Sequence, residues 1–368
     1  MRILITGAGG QLAQALLLVA NVAQTNAAQV NVNGLAAAEQ LLMGLLPEAL
    51  DCLLGSDIVK GFCRKQLDIS DSHSIACAFD EFEPDVVVNC AAYNAVDLAE
   101  IEEATALAIN ANGPKLLAQA CFIRRIKLIH ISTDFVFDGE LTHPYTEQDV
   151  PLPLSVYGGS KLKGESWVNE ILGCNAIIIR TSWLYSSKGT NFVKTMQNLF
   201  QVKERLSVID DQRGSPTWCE ALAVVIFKLV KQMKAVKAKS HETKAKQFAK
   251  ALDEDVSASL YHYAAAGTCS WFEFAQYIQR YQEQMLESIQ AVENNHSSCS
   301  IEPITTELWQ SLHRNKLATR PMQSALCAEK VTCKLALDEQ SILKASWQFQ
   351  LQAMLRHQSA IKLNWIEG

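Results

Sequence analysis

An α/β fold built on a doubly wound parallel sheet is predicted by three observations. Near-continuous apolar runs recur at Met1–Thr6, Asp57–Cys63, Pro84–Tyr93 and Lys127–Ser132, the pattern of strands buried on both faces. The first run leads straight into a glycine turn and a helix, the arrangement of a Rossmann-type nucleotide site. Beyond these, the last third changes character and predicts a smaller, discontinuous α+β substrate domain.

The first element, Met1-Arg-Ile-Leu-Ile-Thr-Gly-Ala-Gly-Gly-Gln-Leu-Ala13, reads as a strand, a turn and a helix continuing through Ala15–Val19. Gly7 and Gly10 let the backbone turn tightly and approach a pyrophosphate, which would rest on the N–H groups at the helix start around Gln11 and Leu12. Ala13 stands where a third glycine is often found and is small enough to keep the helix close to the strand. A strand–helix turn without a ligand is the alternative.

The second strand, Asp57–Cys63, runs into Arg64-Lys-Gln-Leu-Asp68. An acid at this strand end would bind the adenosine ribose hydroxyls and repel a 2′-phosphate. Cys63 stands there instead, followed by Arg64 and Lys65, so NADPH is the expected cofactor, with NADH left open. Asp68 and Ile69 have the position of a pair that brackets the adenine.

The third strand ends in Ala91, Ala92 and Tyr93, small enough at its tip for a cofactor to pass over. Asn94–Glu100 then opens a helix expected to run through Ala104 to Asn110. The fourth strand carries Thr133 at its end, beside Asp134. Tyr157 and Lys161 follow in Val156-Tyr-Gly-Gly-Ser-Lys161, one helical turn apart on one face. A hydroxyl, a phenol and an ammonium in this order suit a nicotinamide-dependent ketoreductase. The phenol protonates a carbonyl oxygen, the threonine hydrogen-bonds the same atom, and the lysine lowers the phenol's pKa and holds the nicotinamide ribose. Ligands of open parallel sheets sit beyond the carboxyl ends of the strands, so the glycine turn, Ala91–Tyr93 and Thr133 are expected to line one crevice.

These segments resemble the extended short-chain dehydrogenase/reductase superfamily and, within it, the dTDP-4-dehydrorhamnose reductases. Ser132–Gly139, Pro153–Glu165, Arg180-Thr-Ser-Trp-Leu-Tyr185, Asn191–Met196, Asp210–Thr217 and Arg320–Ser324 carry the resemblance over most of the chain. It implies reduction of the 4-keto group of dTDP-4-dehydro-L-rhamnose, with Tyr157 as proton donor, Lys161 tuning it and Thr133 stabilising the oxygen. It places Asp134 and Trp183 against the sugar nucleotide. Trp183 would be an apolar wall or a core tryptophan, and Arg320 a partner of the diphosphate or a structural anchor. Asn191 and Gln212 would support the site. Some members use a metal at a dimer interface; a homodimer and Mg2+ stay open, and no metal ligands are assigned because no cluster has ligand spacing. Two rivals remain: another nucleotide-sugar 4-ketoreductase, or a non-catalytic regulatory subunit of the methionine adenosyltransferase type.

Composition agrees with an enzyme of small molecules. The 368 residues are 49% apolar, enough to bury about three-quarters of the unfolded surface. The net charge of −6 gives no footing for nucleic acid. No secretory signal or membrane span is read, and eleven scattered cysteines without a Cys-x-x-Cys pair suggest reduced, mostly buried thiols in a cytoplasmic protein.

The expected organisation is a cofactor domain over 1–183, regaining about 217–235 and 259–266, and a substrate domain over 184–216 and 267–335. A helical C-terminal region, 336–368, follows. In the last third, Leu260–Ala266 is a strand signal and a helix starts after Ser270 with Phe274 and Ile278 inward. Ile301–Leu308 reads as a short strand and turn. Two insertions are expected: a helical excursion at about 21–55 on the sheet edge or a partner, and a lysine-rich solvated helix or loop at about 232–258.

Overall fold

The computed structural model describes residues 1–27, 37–53, 55–239, 257–288, 299–312 and 318–364. Its centre is a six-stranded parallel sheet. In chain order the strands are β1 (Arg2–Thr6), β2 (Ile58–Phe62), β3 (Val86–Asn89), β4 (Lys127–Thr133), β5 (Ala176–Thr181) and the later β10 (Ser259–His262). In space they run β10-β5-β4-β3-β1-β2. The chain leaves β1 for β2 on one side and returns to β3 on the other, so the order reverses there and opens a crevice beyond the strand ends.

Two apolar clusters flank the sheet. On one face pack α1 (Gln11–Ala27) and α9 (Cys219–Lys239), with the C-terminal helix Trp347–Asn364 and a short helix α2 (Ala37–Leu45). On the other face lie α3 (Ser72–Phe82), α6 (Gly113–Arg124) and α7 (Val156–Leu172). Val86, Val88, Ile129, Ile177 and Ile179 face the first cluster, whereas Val87, Leu128 and Ile178 face the second. The two-residue alternation of a strand divides each apolar run between two cores.

The described part of the excursion before β2 is helical over α2 and packs within the chain. Leu42, Leu46, Ala49 and Leu53 are buried in the first cluster, and α2 packs against the C-terminal helix. Ser341 and Glu48 share a hydrogen bond, and Lys231 donates to the Asp51 carbonyl at 2.7 Å. The apolar run of this stretch is thus absorbed within the chain. Of the lysine-rich stretch, α9 reaches Lys239 and 240–256 lie outside the described residues.

The helix expected from Asn94 to Asn110 is broken. It divides into α4 (Val96–Ala99), α5 (Glu103–Leu107) and a π-turn over Ala108–Asn112. Asn110 explains the π-turn: its Oδ1 accepts from Tyr93 N at 2.8 Å, and its Nδ2 donates to Tyr93 O at 3.0 Å and to Ser160 Oγ at 3.1 Å. Side-chain bonds hold the widened turn against the strand end and α7.

Short pairings build the remainder. β6 (Leu184–Tyr185) pairs with β9 (Thr217–Trp218), and β7 (Arg205–Ile209) with β12 (Ser300–Ile304), both in parallel. β8 (Arg213–Gly214) meets β11 (Cys269–Ser270) in antiparallel fashion. Helix α8 (Phe192–Val202) and the helix Trp271–Ser288 cover them. Ser270 caps the latter by accepting from Glu273 N at 3.0 Å, and Phe274 and Ile278 are buried. After β12 a helix over Thr306–Leu312 replaces the expected turn; Thr305 Oγ1 accepts from Leu308 N at 3.2 Å and supplies the cap.

All eleven cysteines are free thiols; five are buried and three exposed. Among the described residues no helix is long and apolar enough to cross a membrane.

Candidate active site

The crevice at the reversal of strand order has a volume of about 360 Å³. One bank is the glycine turn. Gly7 has φ +67°, and a Cβ there would stand 2.9 Å from the Ala91 backbone, so only glycine lets β1's turn pass so close to β3's end. Gly10 N donates to Gly7 O at 2.8 Å, closing the turn into α1. Gly10, Gln11 and Leu12 line the crevice, and α1 has no acidic side chain in its first turn. A Cβ at Gly9 would meet no atom within 4 Å. Free N–H groups at a helix start beside uncovered glycine backbone are the donor set a diphosphate needs.

The second bank is α7 against the end of β4. Ser155 caps the helix by accepting from Gly158 N at 3.2 Å, and Glu100 accepts from Val156 N at 2.8 Å. A Cβ at Gly158 would lie 2.1 Å from Phe135 O, and one at Gly164 would lie 2.2 Å from Asn110 O. The two glycines allow α7 to press onto the strand end and the π-turn, bringing Tyr157 beside Thr133. Phe135 meets the Tyr157 ring edge-on at 5.6 Å.

Thr133, Asp134, Tyr157 and Lys161 therefore all line the crevice. The Thr133 hydroxyl donates to Asp134 Oδ1 at 3.0 Å and accepts from Phe135 N at 3.2 Å. Burial pushes the Asp134 carboxyl up to about 6, against hydrogen bonds from Ser324 and Thr133. Its Oδ2 is buried without a partner among the described residues. Burial pushes the Tyr157 phenol up to about 12, while Thr133 pulls the other way.

Desolvation dominates at Tyr157, where the net shift is upward. The lysine amine is itself buried and donates to the Ile131 carbonyl at 2.7 Å. Burial lowers it to about 8, with Glu165 opposing. Glu165 in turn holds Arg180 in a buried two-pronged ion pair, with bonds of 2.9, 3.2 and 2.7 Å. Beneath the crevice, Thr6 donates to Asn89 at 2.6 Å, and the Asn89 amide lies 3.0 Å from His130 Nδ1. Burial drives the His130 pKa well down, so this layer is neutral.

Ala92 and Trp183 also line the crevice. Gly7, Arg64, Asp68, Ile69, Ala91, Tyr93 and Arg320 do not. Ala91 instead lies under Gly7, and the Tyr93 phenol donates to Glu102 at 3.0 Å. Ile69 is a core side chain, against which a Cβ on Gly113 would collide at 2.7 Å. Arg64 is exposed but not unopposed, since Asp68 accepts from it at 3.2 Å. Hydrogen bonds from Ser70 hold the Asp68 carboxyl below its usual range. Of the two cations after β2, Arg64 thus has an acid beside it. Arg320 pairs with Asp97 at 2.7 Å, next to Val96 on the crevice wall. Asn191 caps α8 and reaches Gln11 Oε1 at 3.4 Å, and Gln212 binds Thr306 at 3.0 Å.

Sequence reasoning missed Trp271, Asn94, Cys90, Thr181, Ser182 and Leu184, all on the crevice wall. Thr181 and Leu184 could have been found from the strand-end rule that located Thr133. Trp271 carries no such signal. No group of three His, Cys, Asp or Glu side chains suited to a metal occurs among the described residues.

Comparison with known proteins places this crevice among relatives. The family described as RmlD substrate binding domain matches residues 1–359. A dTDP-4-dehydrorhamnose reductase of Aggregatibacter actinomycetemcomitans is 33% identical over 276 residues, spanning 74% of this chain and 76% of the relative. The crystal structure of a dTDP-4-dehydrorhamnose reductase from Clostridium acetobutylicum is 31% identical, with a TM-score of 0.70 and coverage of 97% and 99%. That of Bacillus anthracis, in complex with NADP, is 30% identical, with a TM-score of 0.68 and coverage of 96% and 98%.

Proposed function

Because the chain belongs to the RmlD substrate-binding-domain family, we propose that it reduces the 4-keto group of dTDP-4-dehydro-L-rhamnose, giving dTDP-L-rhamnose, with NADPH as donor. The observation that carries this reading is the convergence of Thr133, Tyr157 and Lys161 on the crevice that holds the glycine-turn helix start. The named relatives and the NADP complex of a similar structure support the substrate class and the cofactor.

The bound nicotinamide supplies the hydride to the sugar C4. Gly10, Gln11 and Leu12 would hold the diphosphate at the helix start, with Gly7 closing the turn and Ala92 beside it, while Ala91 and Tyr93 would support that strand end from behind the wall. Arg64 would reach the adenosine end from outside the crevice, with Asp68 as its ion-pair partner and Ile69 packed in the core. Lys161 holds the nicotinamide ribose. Tyr157 donates its proton to the oxygen that becomes the alcohol. Its phenol, raised by burial, is fully protonated at neutral pH and so is loaded for this step. Thr133 gives a second hydrogen bond to the same oxygen, stabilising charge as it develops. Asp134 and Trp183 contact the sugar, and Arg320 exchanges Asp97 for the diphosphate of the sugar nucleotide. The cofactor part is 1–183 with about 217–235 and 259–266. The substrate part is 184–216 and 267–335.

Product analysis against a panel of nucleotide 4-keto-6-deoxysugars tests the substrate. Preferred reduction of the dTDP-4-dehydrorhamnose is expected, and preference for another base or sugar would overturn the assignment.

A further inference from the structure

Trp183 adopts φ +46°, a left-handed backbone that large side chains rarely hold unless their surroundings enforce it. Two neighbours from distant parts of the chain do so. A Cβ on Gly214 would lie 2.5 Å from the indole of Trp183, so the backbone of β8 abuts the ring directly. The indole of Trp271 stacks on Trp183 with ring centroids 3.5 Å apart and planes 7° from parallel.

Trp271 is itself well anchored. It begins the helix after β11, which pairs with the Gly214 strand. Arg213 and Glu273 bridge the same two elements at 2.9 Å, and Phe192 of α8 meets Trp271 at 4.6 Å. Both indoles face the crevice that contains Thr133 and Tyr157.

We propose that Trp271 is a positioning residue for the sugar nucleotide: it holds Trp183 in its left-handed conformation as one wall of the sugar site. The role rests on the reductase reading above. Trp183 presents an indole to the apolar face of a 6-deoxysugar, and Trp271 fixes the angle at which it does so. Removing Trp271 frees the Trp183 backbone to relax and tilts the wall. Ground-state binding of the sugar is then weakened, while Thr133, Tyr157 and Lys161 keep their places on α7 and the end of β4.

The test is steady-state kinetics of wild type, Trp271→Ala and Trp271→Phe with dTDP-4-dehydrorhamnose and NADPH. Trp271→Ala is expected to raise the KM for the sugar nucleotide about three- to ten-fold, the range a stacked aromatic pair supports. The kcat and the KM for NADPH should hold, and Trp271→Phe should recover most of the loss. Far-ultraviolet circular dichroism should show an exciton couplet from the stacked indoles in wild type and lose it in Trp271→Phe, a check that does not depend on turnover. Wild-type turnover with an unchanged sugar KM in the variants, or a uniform loss of kcat and both KM values, would overturn the role of Trp271 alone. No couplet in wild type would overturn the stack. An inactive wild type would overturn the reductase reading and this role with it.

Discussion

The Thr133 hydroxyl donates a 3.0 Å hydrogen bond to the buried carboxyl of Asp134, and both residues line the crevice beside Tyr157. The proposed proton donor thus shares its crevice with a carboxyl that burial pushes up to about 6. To stabilise the oxygen that becomes the alcohol, the hydroxyl turns its single proton from Asp134 to that atom. Thr133→Val keeps the shape and removes the hydroxyl. It should lower kcat by about 10²-fold, the cost of one oxyanion donor, while the Kd for NADPH holds. A kcat equal to wild type would show that the hydroxyl takes no part.

Arg64 lies at the end of β2, where the ribose of a dinucleotide is read, with Asp68 as its ion-pair partner. Arg64→Ala should raise the KM for NADPH about ten-fold and that for NADH less than about two-fold, since only the former carries the phosphate that a guanidinium binds. Equal rises for both cofactors would assign Arg64 to the loop instead of to the 2′-phosphate.

Lys161 gives the account a pH dependence with a definite sign. Burial disfavours the ammonium and lowers its pKa to about 8 from 10.5. The cation therefore dominates below about 8 and is lost above it. If the positive charge serves the reaction, kcat/KM falls as pH rises through about 8. Lys161→Met should be slower and flat across that window. A wild-type profile that rises there would contradict the charged form as the active one.

Much of this site is legible in the chain because its parts obey local rules. Gly7 follows a strand and Thr133 ends one, so each points to the crevice without tertiary information. Tyr157 and Lys161 share a helix face by spacing alone. The pKa logic was less legible: the helix face brings Lys161 near Tyr157, but how dry both groups are depends on Gly158 and Gly164 letting α7 press onto Phe135 and Asn110. The Arg64–Asp68 pair is a four-residue contact in a loop, where no helical period marks it. The π-turn at Asn110 arises from bonds to Tyr93 and Ser160, fifty residues apart for the latter. Trp271 reaches the site through the two-residue pairing of β8 with β11 and the Arg213–Glu273 bridge, contacts too short and too distant in sequence for a pattern to reveal.

The central claim is that Tyr157 donates the proton in an NADPH-dependent reduction of the sugar 4-ketone. Its most direct test follows NADPH absorbance with dTDP-4-dehydrorhamnose, comparing wild type with Tyr157→Phe and confirming that both bind NADPH. Loss of general acid catalysis costs about 10²–10⁴-fold. The account predicts rapid oxidation by wild type and a fall of that size in the variant, with NADPH binding retained. Equal rates in the two proteins, or no turnover by a wild type that binds NADPH, would contradict it.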